Sequence, residues 1–193
     1  KIYKTAQLPP HVFEESFERI AREGKSAIYL GFSSELSATF QSARMAKNSV
    51  LEKYPELDIE LIDTRAASGG FGMIVYETVK KANEGASMEE VLKTANFYIE
   101  NIDHIFTVDD IEYLYRGGRV SKTSAVLGGM LNIKPVLEVK EGKLGPVDKV
   151  RGRQKALRRI LELMEERSVD KDFSNRKVFI YHGDDPEAAE RIR

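Results

Sequence analysis

Cysteine is absent from the 193 residues, which excludes disulfides and thiolate chemistry and makes a reducing compartment, the cytoplasm, the default expectation. Long apolar runs are lacking as well. None approaches the roughly 20 residues that a membrane-spanning helix needs, and no signal peptide precedes the first predicted helix. Histidine occurs only three times, which leaves few candidates for a general base. What remains is ordinary for a folded domain: 41% hydrophobic and 32% charged residues, enough to bury a core in one large or two small domains. The chain starts without Met and stops inside a predicted helix, so it reads as part of a longer protein.

The net charge of −1 conceals an uneven distribution. Between Arg116 and Arg159 there are 12 Lys/Arg against 3 Asp/Glu, a local excess of +9 that the rest of the chain balances. Such a block suits an anion or an acidic partner, and equally a solvated basic surface. Nucleic acid is not expected, because the block has no aromatic residue for base stacking and no known binding module is visible.

Apolar periodicity places a first helix on Phe13, Phe17, Ile20 and Ala21, stopped at Gly24. Ala27 to Phe32 reads as a strand buried on both faces. A second helix carries Phe40, Ala43, Ala46, Val50 and Leu51, and Ile59 to Ile62 reads as the next strand. Gly69-Gly70 forms a turn that opens a third helix with Ile74, Val75, Val79 and Ala82. Ser87 and Glu90 form a capping box ahead of a fourth helix, and His104 to Val108 reads as a strand. This alternation predicts an α/β domain, a parallel sheet flanked by helices, over about 1–104.

From about 105 to 193 the pattern changes to α+β with antiparallel strands. A helix is expected near Ser124 to Leu131. Ile133 to Val139 and Leu144 to Val150 flank Lys140-Glu141-Gly142-Lys143, a hairpin signature. A helix from about Arg153 to Arg167 and a last strand, Val178 to Tyr181, complete the series.

The segment Phe32 to Thr39 sits where a buried strand feeds a helix, so its amides and the helix dipole make a natural anion site. It offers hydroxyls and no Lys or Arg, which favours one carboxylate over a dianionic phosphate. A simpler role for Ser34 or Ser37 is to cap the helix. Serine nucleophile chemistry is not expected, since no histidine is brought near and no G-x-S-x-G elbow is present. No metal or cofactor is called for.

Ser33-Ser34-Glu35-Leu36-Ser37-Ala38-Thr39-Phe40-Gln41-Ser42-Ala43 resembles the S-S-G-L-S-G-T-[YF]-Q-S-A motif of the DegV family. Thr5-Ala6-Gln7-Leu8-Pro9 resembles its T-S-Q-P motif. Glu112-Tyr113-Leu114 followed by Gly117-Gly118-Arg119-Val120-Ser121-Lys122 resembles its E-Y-L-x-x-G-G-R-I-S-K. Leu131-Asn132-Ile133-Lys134-Pro135 and Val150-Arg151-Gly152-Arg153 resemble L-N-I-K-P and V-R-T-R. Five motifs in order are far more specific than any one alone.

The resemblance implies a bacterial, non-enzymatic carrier of two α/β domains that binds a long-chain fatty acid such as palmitate or oleate, with the acyl chain between or within them. It places the carboxylate on Thr5 and Ser37, with Ser34 as a further candidate. It further implies presentation of the acid to a fatty-acid kinase that makes the acyl phosphate, with Arg119, Arg151 and Arg153 as docking residues. Lys122 and Lys155 would add to the attracting charge. Phe32, Phe40, Val126, Leu127, Met130, Leu131 and Ile133 are apolar candidates for lining the tail pocket, though each also suits ordinary core.

Three residues depart from the pattern. Glu35 and Ala38 replace glycines, and Ala6 replaces a serine. A carboxylate at Glu35 would repel the ligand if it faced it, so it is expected to point to solvent. The family's T-D-S and G-T-H-x-G-P-G segments have no counterpart in these residues, the second carrying a histidine linked to the kinase interaction. The alternative reading is an enzyme or binding domain for a phosphorylated small molecule such as a sugar phosphate, which use similar Ser/Thr loops. A nucleic-acid or regulatory module resting on the basic block is a third.

Overall fold

The computed structural model describes residues 5–121, 132–169 and 173–193. The helix expected near 124–131, with Leu127 and Met130, and Lys122 lie outside them. The chain forms two compact units. The first comprises Lys1–Ala67, Ile74–Glu100 and Glu141–Lys143; the second comprises Ser68–Met73, Asn101–Lys140 and Leu144–Arg193.

In the first unit, helix α1 (Pro10–Arg22) starts with proline at a position whose N–H would find no partner anyway. It ends where Gly24 adopts φ +60° and the Lys25 N–H donates to the Ile20 carbonyl. Strands β1 (Ala27–Gly31) and β2 (Ile59–Asp63) pair in parallel, in register from Ala27 opposite Ile59 to Gly31 opposite Asp63. Helix α2 (Thr39–Lys53) joins them. Phe13 and Phe17 of α1 meet Ala43, Ala46 and Val50 of α2 and Ile59 of β2 in one core. Tyr29 stands edge-on to Phe13 and stacks on Phe40. Gly31 makes that stack possible: a Cβ there would lie 2.4 Å from the Phe40 ring.

Helix α3 (Ser68–Asn83) begins one residue before the glycine pair, so Gly69 and Gly70 lie inside its first turn and do not form the turn ahead of it. Their bareness serves close packing. A Cβ on Gly70 would lie 1.6 Å from His104 Nε2, and one on Gly69 would lie 1.9 Å from the Tyr181 ring. The buried stripe of α3 is Met73, Ile74, Glu77 and Thr78, while Val79 is 48% exposed. The helix is thus rotated from the purely apolar stripe expected from its sequence, and Thr78 tolerates burial because its hydroxyl donates to the Ile74 carbonyl at 2.7 Å. Helix α4 (Met88–Asn101) follows the capping box, in which the Ser87 N–H donates to Glu90 at 2.9 Å and the Glu90 N–H donates back to the Ser87 hydroxyl at 3.4 Å.

In the second unit, β3 (His104–Thr107), β4 (Ile133–Lys140) and β5 (Lys143–Arg151) form a sheet in that order. Strand β3 had continued the strand–helix alternation in the sequence, but it pairs antiparallel with β4, from His104 opposite Val139 to Thr107 opposite Val136. Nothing in a four-residue strand specifies the direction of its neighbour. The β4–β5 turn has Glu141 at φ +50° and Gly142 at φ +82°, the doubly left-handed geometry that matches strand twist and favours glycine second.

Helix α5 (Glu112–Arg116) precedes β4, and α6 (Arg153–Arg167) lays Ala156, Ile160 and Leu163 against Ile105, Val136 and Val147. Helix α7 (Pro186–Ile192) is capped by Asp185, which accepts from the Ala188 N–H at 3.1 Å. Residues 178–181, expected as a strand, form no ladder and leave Val178, Phe179, Ile180 and Tyr181 exposed. Their composition fits a strand, but composition alone does not place a segment in a sheet. Among the described residues no helix is long and apolar enough to cross a membrane.

Candidate functional site

Strands β1 and β2 end side by side at Gly31 and Asp63, and the hydroxyl-rich loop leaves from that edge, where parallel sheets commonly hold ligands. Ser33 is fully buried; its N–H donates to the Ala66 carbonyl, and its own carbonyl accepts from the Leu36 and Ser37 N–H groups. Its hydroxyl donates to the Gly142 carbonyl at 2.7 Å and accepts from the Glu35 N–H at 3.3 Å. Ser34 is turned the other way. Its N–H and hydroxyl both donate to the Asp63 carboxylate, at 3.2 and 2.5 Å, and the Arg65 N–H joins them at 3.1 Å. A serine has one proton. With that proton on Asp63, Ser34 presents only lone pairs to a ligand, a poor match for an anion.

Ser37 is arranged differently. Its hydroxyl shares a hydrogen bond with the Thr39 hydroxyl at 2.9 Å and accepts from the Thr39 N–H at 3.3 Å. Two hydroxyls joined by one bond use one proton between them, so one proton of the pair is left for a third group. Helix α2 starts at Thr39 with Ala38 in the capping position and no side-chain cap from that residue; Ser37, one residue earlier, meets the first amide of the helix, that of Thr39, while the Ser34 hydroxyl is turned to Asp63. Among the described residues the next two first-turn amides, those of Phe40 and Gln41, meet no acceptor, as is inherent to a helix start, and they lie at the positive end of the helix dipole. Spare hydroxyl proton, amides and dipole together suit a single negative charge.

Glu35 is exposed, as expected, and pairs with Lys143 at 3.3 Å. Thr5 stands exposed in the extended segment ahead of α1, and among the described residues no hydrogen bond joins it to Ser37. Phe32 and Phe40 are half-buried beside the loop, Phe40 within the aromatic stack on Tyr29. Ile133 opens β4, half-buried, in the second unit.

Of the three arginines, Arg119 is exposed past α5 and bonds the Gly117 carbonyl, and Arg151 is exposed at the end of β5. Arg153 is half-buried and committed to Asp185 at 2.7 Å and to Asp109 at 3.7 Å. Lys155 is exposed on α6. Much of the basic block is neutralised in the same way: Lys134 on Asp109, and Arg159 on Asp148, Glu162 and Glu166. Asp148 is held below its ordinary pKa by the Lys149 N–H and by Arg159. Among the described residues no cluster of His, Asp or Glu could hold a metal ion.

Two residues that organise the loop, Asp63 and Gly142, escape a linear reading. Asp63 ends a strand and follows an apolar run, a faint signal of a loop anchor. Gly142 is distant in sequence and carries a turn signature but no hint of what the turn touches.

A model of the DegV family, described as one of uncharacterised proteins, matches residues 1–193. A DegV domain-containing protein of Clostridium perfringens is 39% identical over 189 residues, covering 97% of this chain and 64% of the relative. Among solved structures, a fatty-acid-binding DegV family protein from Streptococcus agalactiae superposes with a TM-score of 0.81 at 28% identity, covering 100% of this chain and 66% of that one. The fatty acid kinase B3 protein of Streptococcus pneumoniae, loaded with linoleic acid, superposes with a TM-score of 0.75 at 28% identity, covering 84% and 57%. The chain spans just under two thirds of the length of the curated relatives it matches. On the family match over all its residues, the chain belongs to the DegV family.

Proposed function

We propose that this chain is part of a carrier for a long-chain fatty acid, which holds the carboxylate through Ser37, Thr5 and the first-turn amides of α2. The single observation that carries the reading is the Ser37–Thr39 hydroxyl pair, with a proton to spare, beside first-turn amides of α2 that meet no acceptor among the described residues and with no Lys or Arg in the loop. A carboxylate shut away from water must be hydrogen-bonded or its desolvation dominates, and neutral donors are enough for one charge. Ser34 serves the site by fixing the loop to Asp63. The relatives described as binding fatty acids support the same ligand class.

The tail supplies the affinity. About 16 carbons at about 0.8 kcal/mol per methylene outweigh the several kcal/mol lost in immobilising the ligand. Phe32 and Phe40 are the apolar side chains flanking the loop. The protein presents its ligand to a fatty-acid kinase and does no chemistry itself, and the exposed Arg119 and Arg151 are the docking charges. Arg153, tied to two carboxylates, supports the local structure.

The test is to extract the purified protein with organic solvent and analyse the extract by mass spectrometry, then to add oleate to the stripped protein. Long-chain fatty acid in the extract, or stoichiometric uptake of oleate, is expected. Neither one, together with a thermal shift produced by sugar phosphates, would reverse the assignment.

A further inference from the structure

We propose that the turn Glu141-Gly142-Lys143 is a clasp on the serine loop, making Ser33, Glu35 and Lys143 positioning residues for the carboxylate site; the proposal rests on the fatty-acid reading above. The turn and the loop belong to the same compact unit. The Ser33 hydroxyl spans 109 positions of sequence to reach the Gly142 carbonyl at 2.7 Å. The same oxygen accepts from the Glu35 N–H, and the Ser33 carbonyl receives the Ser37 N–H. Wherever the turn holds Ser33, it therefore also sets the position of Ser37.

The fit leaves no room for a side chain. A Cβ on Gly142 would lie 2.6 Å from Ser33 Oγ, 3.3 Å from Glu35 Cγ and 3.4 Å from Arg65 Cβ. Glycine is thus required twice over, by the left-handed turn and by contact with the loop. The next residue, Lys143, closes on Glu35 at 3.3 Å. That pairing occupies the loop's one negative side chain and keeps it off an incoming carboxylate, which explains how a glutamate is tolerated where the family pattern has glycine.

Two readouts separate the clasp from the binding reading: amide hydrogen exchange of the ligand-free protein and the dissociation constant for oleate. Ser33→Ala removes the bond. Gly142→Asn keeps a residue that accepts positive φ but places a Cβ against Ser33. Both are expected to speed exchange at residues 34–39 by about five- to thirtyfold, the effect of losing one or two hydrogen bonds, with α1 and α6 unchanged, and to weaken oleate binding. Lys143→Glu is expected to weaken binding by about two- to fivefold, as for an exposed pair, and the exchanged pair Glu35→Lys/Lys143→Glu to restore it.

Wild-type exchange at 34–39 in both Ser33→Ala and Gly142→Asn overturns the clasp even if oleate binds normally. Failure of the exchanged pair to restore binding overturns the role of Glu35 and Lys143. A wild-type protein that takes up no oleate overturns the binding reading, and with it the clasp's purpose, whatever the exchange shows. If Ser33→Ala does not fold, Gly142→Asn and the exchanged pair decide.

Discussion

At the scale of single residues, the site turns on where protons go. The serines of the 33–37 loop look alike in a sequence, but their hydroxyls do different work. Ser33 gives its proton to the Gly142 carbonyl, Ser34 gives its to Asp63, and Ser37 shares with Thr39. Only the neighbours of each serine decide this, and for Ser33 and Ser34 they come from a distant turn and from β2, so a linear reading picks out the loop but not the separate bonds within it. His104 shows the same dependence on surroundings. Its Nε2 is buried against Gly70 with no hydrogen-bond partner among the described residues. Burial pushes the imidazole below its ordinary pKa, against weaker opposing pulls from the Val139 backbone and Asp103.

The consequence for stability follows from the direction of that shift. Above an ordinary histidine value of about 6.5 both folded and unfolded chains leave the ring neutral. As the pH falls through that value the unfolded chain takes up a proton that the folded one refuses, so stability drops. Urea midpoints at about pH 7.5 and about pH 5.5 should therefore differ less in His104→Gln than in wild type. An equal acid loss in both proteins would show that the buried ring does not contribute.

At the scale of elements, the sequence was most informative where a local pattern determines local structure. The Gly24 stop, the Ser87–Glu90 capping box and the Glu141-Gly142 turn each depend on contacts within a few residues, and each forms. It was least informative where an element depends on a partner. The buried stripe of α3 differs from the apolar one its sequence predicts because a threonine satisfied within its own helix can be buried while Val79 faces out. Residues 178–181 have the composition of a strand and no ladder. This difference is measurable. Leu137→Ala, in the middle of β4 and fully buried, should cost about 2–5 kcal/mol in urea unfolding. Ile180→Ala should cost under about 1 kcal/mol, as expected of a partly exposed side chain outside the sheet. A loss at Ile180 equal to that at Leu137 would mean that this segment is built into the core.

At the scale of the molecule, the parallel-sheet unit and the antiparallel α+β unit are both visible in the order of predicted elements, because strand–helix alternation and a tight hairpin signal write themselves into periodicity and turn residues. The basic block is visible in the sequence as a count, but not which of its charges are paired: Arg153 and Arg159 spend theirs on Asp109, Asp185, Asp148 and Glu166. Family membership rests on all the residues, whereas the proposed ligand binding would turn on a few donors at one sheet edge. The direct measurement is the fatty acid carried per protein by Thr5→Ala/Ser37→Ala, determined beside its unfolding midpoint. The account predicts that loading collapses while the midpoint stays near that of wild type. A double variant that folds and still carries the wild-type amount of fatty acid contradicts it.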